Sequence, residues 1–477
     1  MKKKSLFLVI TLLCSTIVFA QIGTRFPSEL KVVKDPVTGT MLTFLTSKPF
    51  GDAKIYQTHP QWTSDGKWVI FRSGRNEAMA VNETTGDIVQ VTEGGYTGML
   101  CVARKSMKLY FMRYVNRDTT TQVRVSEPLR SRGDTTRRTG DTIRRRNFNS
   151  GPIQIVEVDL EKLFADSKAG TLKKASVYQR VCGTIGADLG AGGDMALDAN
   201  EDVAYFRVGR AEAAKHLGPN AKIDSNYGPR NMGAGPAGLM SMNLKTGALK
   251  YIVSVPFQIG HVQTNPWVAG EIVFCWETGG KSPQRTWTVM ADGSGLRPLY
   301  PEAEYEWVTH EAVITKDEVA IAIMGHRKIP ATNSGGVNAP ATNVSGANPG
   351  QEAAWGPSGT REKPTGLGIV NLRTREMVII GQTPSGSGLW HVNGSADGRW
   401  AVGDDFARNI YLIDRHTHEM ILLSAGHKQT AADHPHPTFS ADGTRIEIQS
   451  AMLSEDNRSM NICIIPVPNE WLKRKYN

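Results

Sequence analysis

The sequence has little of what marks most common functional classes. Of its five cysteines, Cys14 falls in the N-terminal apolar run, and no two of the five form a C-x-x-C pair. The other four, Cys101, Cys182, Cys275 and Cys463, are far apart and read as small buried hydrophobes. One disulfide among them stays open, although a chain of this length can bury a core without a disulfide framework. Beyond residue 20 no stretch is apolar enough to cross a bilayer. Helical periodicity is nearly absent, with short candidates only at Leu160 to Asp166 and Arg210 to His216. There is no G-x-S-x-G elbow and no second catalytic domain, so any chemistry must reside in the main fold.

The excess of basic charge is also smaller than it looks. Of the formal net charge of +9, three charges belong to the N-terminal segment and five to residues 116–150, which leaves +1 for the rest. A nucleic-acid partner is therefore not indicated. The segment from Val123 to Arg146 lacks apolar periodicity and reads as a solvated insertion loop, although clustered arginine also concentrates acidic partners locally. Residues 328–365, rich in Gly, Asn, Ala and Pro, read as a second long loop. At the start of the chain Lys2-Lys3-Lys4, an apolar run from Leu6 to Phe19 and Val18-Phe19-Ala20 before Gln21 have the layout of a signal peptide cleaved after Ala20. Leu13 ahead of Cys14 argues against a lipoprotein, so the expected location is soluble and periplasmic, without membrane attachment.

What is present is repetition. His59-Pro-Gln-Trp-Thr-Ser-Asp65-Gly66, His391-Val-Asn-Gly-Ser-Ala-Asp397-Gly398 and His436-Pro-Thr-Phe-Ser-Ala-Asp442-Gly443 each set a histidine six residues before an Asp-Gly turn. Looser copies begin at His261 and His310, and the last copy is doubled as His434-Pro-His436. Seven units can be marked, starting near His59, Tyr96, Gly186, Gly260, Trp307, Leu389 and Asp433. Most contain paired alternating runs around a polar turn, as in the stretches from Met79 to Val91 and from Met240 to Ile252. Seven such units predict an all-β, seven-bladed β-propeller with four-stranded blades, forming one domain over 21–477 with insertions at 116–150 and 328–365. The strand-like stretch from Leu30 to Leu45 is expected to complete the last blade, which ends near Met460 to Ile465, and so to close the ring.

In a propeller, residues in equivalent register converge on the axis, which would gather six of the eleven histidines at one end of the channel. If His434 and His436 lie in a strand, they point to the same side and can chelate one ion. His310 would add a third imidazole, with His391 a fourth ligand or a partner that orients one, and such a set suits Mn, Fe, Ni, Cu or Zn over Ca or Mg. A strand entry of this kind also recurs in propellers without catalytic roles, and for His59 packing or hydrogen bonding competes with a place in substrate binding.

The ordered fragments Gln258-Ile-Gly-His261, Val273-Phe-Cys275, Thr309-His310-Glu311, Trp390-His391, Val402-Gly403-Asp404 and Asp433-His-Pro-His-Pro-Thr-Phe-Ser-Ala-Asp-Gly443, with Asp35-Pro-Val-Thr-Gly-Thr-Met-Leu-Thr-Phe-Leu-Thr46 ahead of them, resemble the oligogalacturonate lyase family. The resemblance implies β-elimination of acidic uronate oligosaccharides with a divalent metal, manganese in that family. It also implies that the histidines matching His310, His434 and His436 hold the metal and that the one matching His261 is the base. A metal would neutralise the uronate carboxylate so that a neutral histidine can remove the C5 proton. Two positions depart from the pattern. The family glutamine falls at Ala431, with Gln429 out of register, and the family arginine falls at Gly238. Arg230, in a turn-rich segment ahead of the same hairpin, is the expected replacement, with Arg207 and Arg210 as others. A propeller that binds a protein or glycan without catalysis, or an inactive lyase relative that binds sugar, remain the competing readings.

Overall fold

The structure, a computed structural model, describes residues 21–75, 77–115, 151–223, 225–228, 231–303, 306–324, 364–383 and 388–476. The expected signal peptide, the insertion 116–150, nearly all of the insertion 328–365 and Arg230 lie outside the described residues.

Seven antiparallel sheets form the blades of a β-propeller, each running from an inner to an outer strand. Blade 4 is a representative case, with Ile259–Thr264 innermost, followed by Glu271–Trp276, Thr286–Met290 and Arg297–Pro298. Five blades have the four expected strands. Blade 1 gains a fifth because Arg25–Phe26 pairs with Val89 and Ile88 at its outer edge. In blade 7, Met41–Phe44 pairs with Asn461–Pro466 through Thr43 with Ile464 and Phe44 with Cys463, and Lys31–Lys34 adds the outermost strand. The N-terminal stretch thus closes the ring as its alternating pattern predicts.

Repeated local chemistry sets the turns. In blades 1, 6 and 7 the turn aspartates Asp65, Asp397 and Asp442 each accept a hydroxyl hydrogen bond of 2.6 Å from Thr63, Ser395 and Ser440, and a backbone N–H two residues on at 3.1 Å. The glycine that follows takes φ between 68° and 76°, where a side chain would strain the turn. Seven hydrophobic clusters lie between neighbouring blades. The one between blades 7 and 1 joins Leu45, Ile462 and Ile464 to Val69, Phe71 and Met79. The two helix-like stretches form Leu160–Ala169 and Arg210–Ala214. All four cysteines after residue 20 are buried and free. Among the described residues no helix is long and apolar enough to cross a membrane.

Candidate functional site

The entry ends of several inner strands surround a cavity of about 450 Å³, lined by Tyr56, Glu277, Arg285, Trp307, His310, Trp390, His391, Phe406, Asp433, His434 and His436 among others. His310 lies in Val308–Thr315 of blade 5, and His391 opens His391–Gly394 of blade 6. Their rings are 4.2 Å apart between centroids; His391 stacks on His436 at 3.7 Å and meets His434 at 5.2 Å. His261 stands 5.9 Å from His310. Five of the six expected histidines therefore converge.

The route by which His434 and His436 converge differs from the expected one. Neither lies in a strand; the inner strand of blade 7 is Thr438–Phe439, and His436 adopts φ 52°. A left-handed kink, rather than strand alternation, turns both rings onto His391. His261 also has a positive φ, 49°, within a register shift between Gly260 and Gln263. This bulge redirects the imidazole. Gly260 is required there because an added Cβ would lie 2.7 Å from the Cβ of Glu277.

His261 belongs to a buried charge cluster. Its Nδ1 is 2.7 Å from Oε1 of Glu311, which is fully buried, and its Nε2 is 3.4 Å from Oε2 of Glu277. Arg285 donates through Nε to Glu311 at 3.0 Å and lies 3.6 Å from Glu277, with Nη2 3.3 Å from Nδ1 of His261. The 2.7 Å contact identifies Nδ1 as the protonated nitrogen of the neutral ring, donating to Glu311, so Nε2, 3.4 Å from Glu277, is the unprotonated one. Burial opposes a charged imidazole, but charge interactions with Tyr56, Cys275 and Glu311 together prevail and hold the His261 pKa above the ordinary value. Burial likewise opposes the Glu311 carboxylate, and Arg285 and His261 outweigh it and keep it ionised.

The other histidines have the opposite character. Burial, with repulsion from neighbouring histidines, pushes His310 well below 6.5 and His391 down to about 3, and burial lowers His436. Neutral imidazole is the form that ligates metals. Three buried ring nitrogens have no hydrogen-bond partner among the described residues: Nδ1 of His310, Nδ1 of His434 and Nε2 of His436. Carboxylate oxygens of Asp404 and Asp433 approach the latter two at 3.5 and 3.2 Å without hydrogen-bond geometry. Buried polar atoms are normally satisfied, so orphans on three rings that all pack against His391 mark these histidines as candidate metal ligands. Around these rings stand fixed orienting groups. Gln57 Oε1 is 2.8 Å from Nδ1 of His436, and Asp404 accepts from the backbone N–H of His391 at 2.7 Å and lies 3.1 Å from its Nδ1. One ligating atom each from His391, Asp404 and His434 lies within 4.8 Å of the others. Asp404 can thus fill the place that Ala431 leaves, whereas Gln429 is exposed.

His59 corrects the expectation of six convergent rings. Its Nε2 bonds to the Met195 carbonyl at 2.8 Å and its Nδ1 to Thr58 at 2.7 Å, and it faces a separate cavity with Cys101 and Leu197. Blade 1 breaks into a turn at residues 57–58, and Tyr56 takes the place facing His261 and His436. Arg207 also differs from expectation. It donates to Ile259 O at 3.0 Å, bracing blade 3 against blade 4, and does not line the cavity; Arg210 binds Ala234 O at 3.0 Å. Gly238 has no space for a side chain, since an added Cβ would meet the Tyr251 hydroxyl and stand 3.1 Å from Val208. The guanidinium beside His261 comes instead from Arg285, reached through the third strand of blade 4. Only its position after the loop that follows Trp276 could have suggested this from sequence.

Fold and cavity together define a seven-bladed propeller with a histidine-rich site at one mouth of its channel. No family model matches the chain, and no curated protein matches it. Among solved structures it is similar to an oligogalacturonate lyase in complex with manganese, at TM-score 0.65 and 16% identity, over 95% of this chain and 100% of the other. A second oligogalacturonate lyase, from Vibrio parahaemolyticus, matches at TM-score 0.64 and 16% identity with the same coverage. The chain shares the lyase-like propeller fold of these proteins.

Proposed function

We propose that the protein is a metal-dependent lyase that cleaves uronate-containing oligosaccharides by β-elimination, with His261 as the base and His310, His434 and His436 holding a divalent cation, manganese. The observation that supports this most is the set of three orphaned ring nitrogens on His310, His434 and His436, whose rings all pack against His391, with His261 5.9 Å from His310. When bound, the cation supplies a Lewis acid that offsets the charge of the substrate carboxylate. His391, its tautomer fixed by Asp404, either completes the ligand set or orients it. Nε2 of His261 takes the C5 proton, while Glu311 steadies the imidazolium that results and Arg285 keeps Glu311 ionised. Trp307, Trp390 and Phe406 provide apolar wall for the sugar faces.

A binding propeller without catalysis has one observation in its favour, the upward shift of His261, which favours an imidazolium that cannot accept a proton. Product mass separates the two readings. Manganese-loaded protein incubated with uronate oligosaccharides should release an unsaturated fragment one water lighter than a hydrolysis product, and His261→Ala should not. Unchanged oligosaccharide across the panel, with ligand affinity equal in both proteins, would favour the binding reading. Export to the periplasm belongs to the same proposal, and recovery of the chain from the cytoplasmic fraction with residues 1–20 intact would contradict it.

A further inference from the structure

Tyr56 is a buried group that the expected lyase roles leave unused. Its hydroxyl is buried and has no hydrogen-bond partner among the described residues, although the residue lines the histidine cavity. A buried hydroxyl is normally paired, and a ligand filling the cavity would supply the partner this one lacks. The backbone holds the ring in place. The Tyr56 carbonyl accepts from His59 N at 3.0 Å and from Gln61 Nε2 at 3.2 Å, and the ring packs 4.8 Å from His261 and 5.1 Å from His436.

β-Elimination needs a proton donor for the departing O4 as well as a base at C5, because a sugar alkoxide is a poor leaving group. The cavity's other strong donor near His261, Arg285, is already engaged by Glu311 and faces Glu277. Position adds a stereochemical consequence. A pyranose ring sandwiched between two side chains needs roughly 7–8 Å, two carbon contacts of 3.5–4.0 Å each. At 4.8 Å the His261 and Tyr56 rings cannot flank a sugar, so they address it from one side.

We propose that Tyr56 is the general acid of the elimination and that, acting from the same wall as His261, it selects uronates whose C5 hydrogen and C4 oxygen are cis. This rests on the lyase reading above and deepens it. D-Glucuronate and D-mannuronate have that configuration; D-galacturonate has the two groups trans and would need acid and base on opposite faces. In the step, His261 Nε2 takes the C5 proton, the C–H electron pair forms the C4=C5 bond, and the C4–O4 pair departs on O4, which takes the Tyr56 proton. Proton transfer from the His261 imidazolium to the Tyr56 phenolate restores both groups, with no redox change.

The test uses the mature, manganese-loaded chain on 4-linked glucuronate, mannuronate and galacturonate oligosaccharides, with Tyr56→Phe alongside. Metal stoichiometry and melting temperature show whether the variant folds. Preference for a cis uronate is expected, with kcat falling about 100-fold or more in Tyr56→Phe while KM changes little. A glucuronate bearing a 4-nitrophenyl group on O4 leaves without protonation, so on it the variant should keep most of its activity, which a merely structural defect would not allow. Preference for galacturonate, parental kcat in Tyr56→Phe, or equal loss on both leaving groups overturns the inference and leaves the lyase reading standing. No product from any uronate overturns both.

Discussion

Metal binding should be visible in the melting behaviour of the chain, and it should depend on the three orphaned histidines in a particular way. Each buried unpaired ring nitrogen carries a desolvation penalty of about 1–3 kcal/mol in the metal-free protein. Occupation at a free metal concentration 100-fold above Kd stabilises the folded state by about 2.7 kcal/mol. At about 2.1 cal/mol/K of unfolding entropy per residue, a chain of 477 residues has an entropy near 1 kcal/mol/K, so the expected shift is about 3 °C. Scanning calorimetry of chelator-treated protein, with and without manganese, would resolve it. His310→Ala and His434→Ala should abolish the shift. Without metal, each should melt close to the parent, because truncation removes an unsatisfied nitrogen. His59→Ala should destabilise the fold yet keep the metal shift. If manganese still raised the melting temperature of the His310→Ala, His434→Ala double variant by the same amount, the ligand assignment would be wrong.

The Glu311 carboxylate favours the charged His261, so Glu311→Gln should lower the His261 pKa and move the acid limb of the kcat/KM profile to lower pH, alongside a loss of stability; an unmoved limb contradicts this role. His59 and His427 are held neutral by burial, at about 4 when folded against an ordinary 6.5. The unfolded chain therefore binds more protons in that window. Stability should be full above pH 6.5 and fall as pH drops towards 4, by up to about 3 kcal/mol per histidine. Urea midpoints at neutral and acid pH measure this, and a midpoint that does not fall would refute it. Asp404→Asn removes the group that fixes His391 and should weaken manganese binding by about 10–100-fold in a direct titration, with unchanged affinity as the opposing result.

Much of the architecture could be read from period and turn chemistry because these are local. An Asp-Gly turn with a serine or threonine two residues earlier makes the same hydrogen bonds in blade after blade, and the alternating N-terminal stretch could pair only with an incomplete sheet. Register also brought His310 and His391 together, whereas His261, in a bulge, and His434 and His436, at a left-handed kink, reach the site by local backbone geometry. Register failed at His59, because the inner strand of blade 1, Ala53–Lys54, ends before a turn at residues 57–58 that puts Tyr56 at the cavity. It also gave no sign of the charge network. Glu277, Arg285 and Glu311 come from two blades and occupy strand and loop positions that carry no shared motif. In sequence Arg230 and Arg207 stand out only by proximity to the matched hairpin, whereas Arg285 meets His261 through the lateral packing of one sheet. Asp404 stood among the matching fragments, but its bond to His391 depends on pairing between adjacent strands.

The most direct test of the central claim is the ultraviolet absorbance of the conjugated C4=C5 uronate, followed in one cuvette as chelator-treated protein acts on mixed uronate oligosaccharides and manganese is then added. The account expects a flat trace before the metal, a steady rise after it, and no rise with His261→Ala. A trace that stays flat with manganese bound and oligosaccharide in excess would contradict it and leave a propeller that holds its ligand without cutting it.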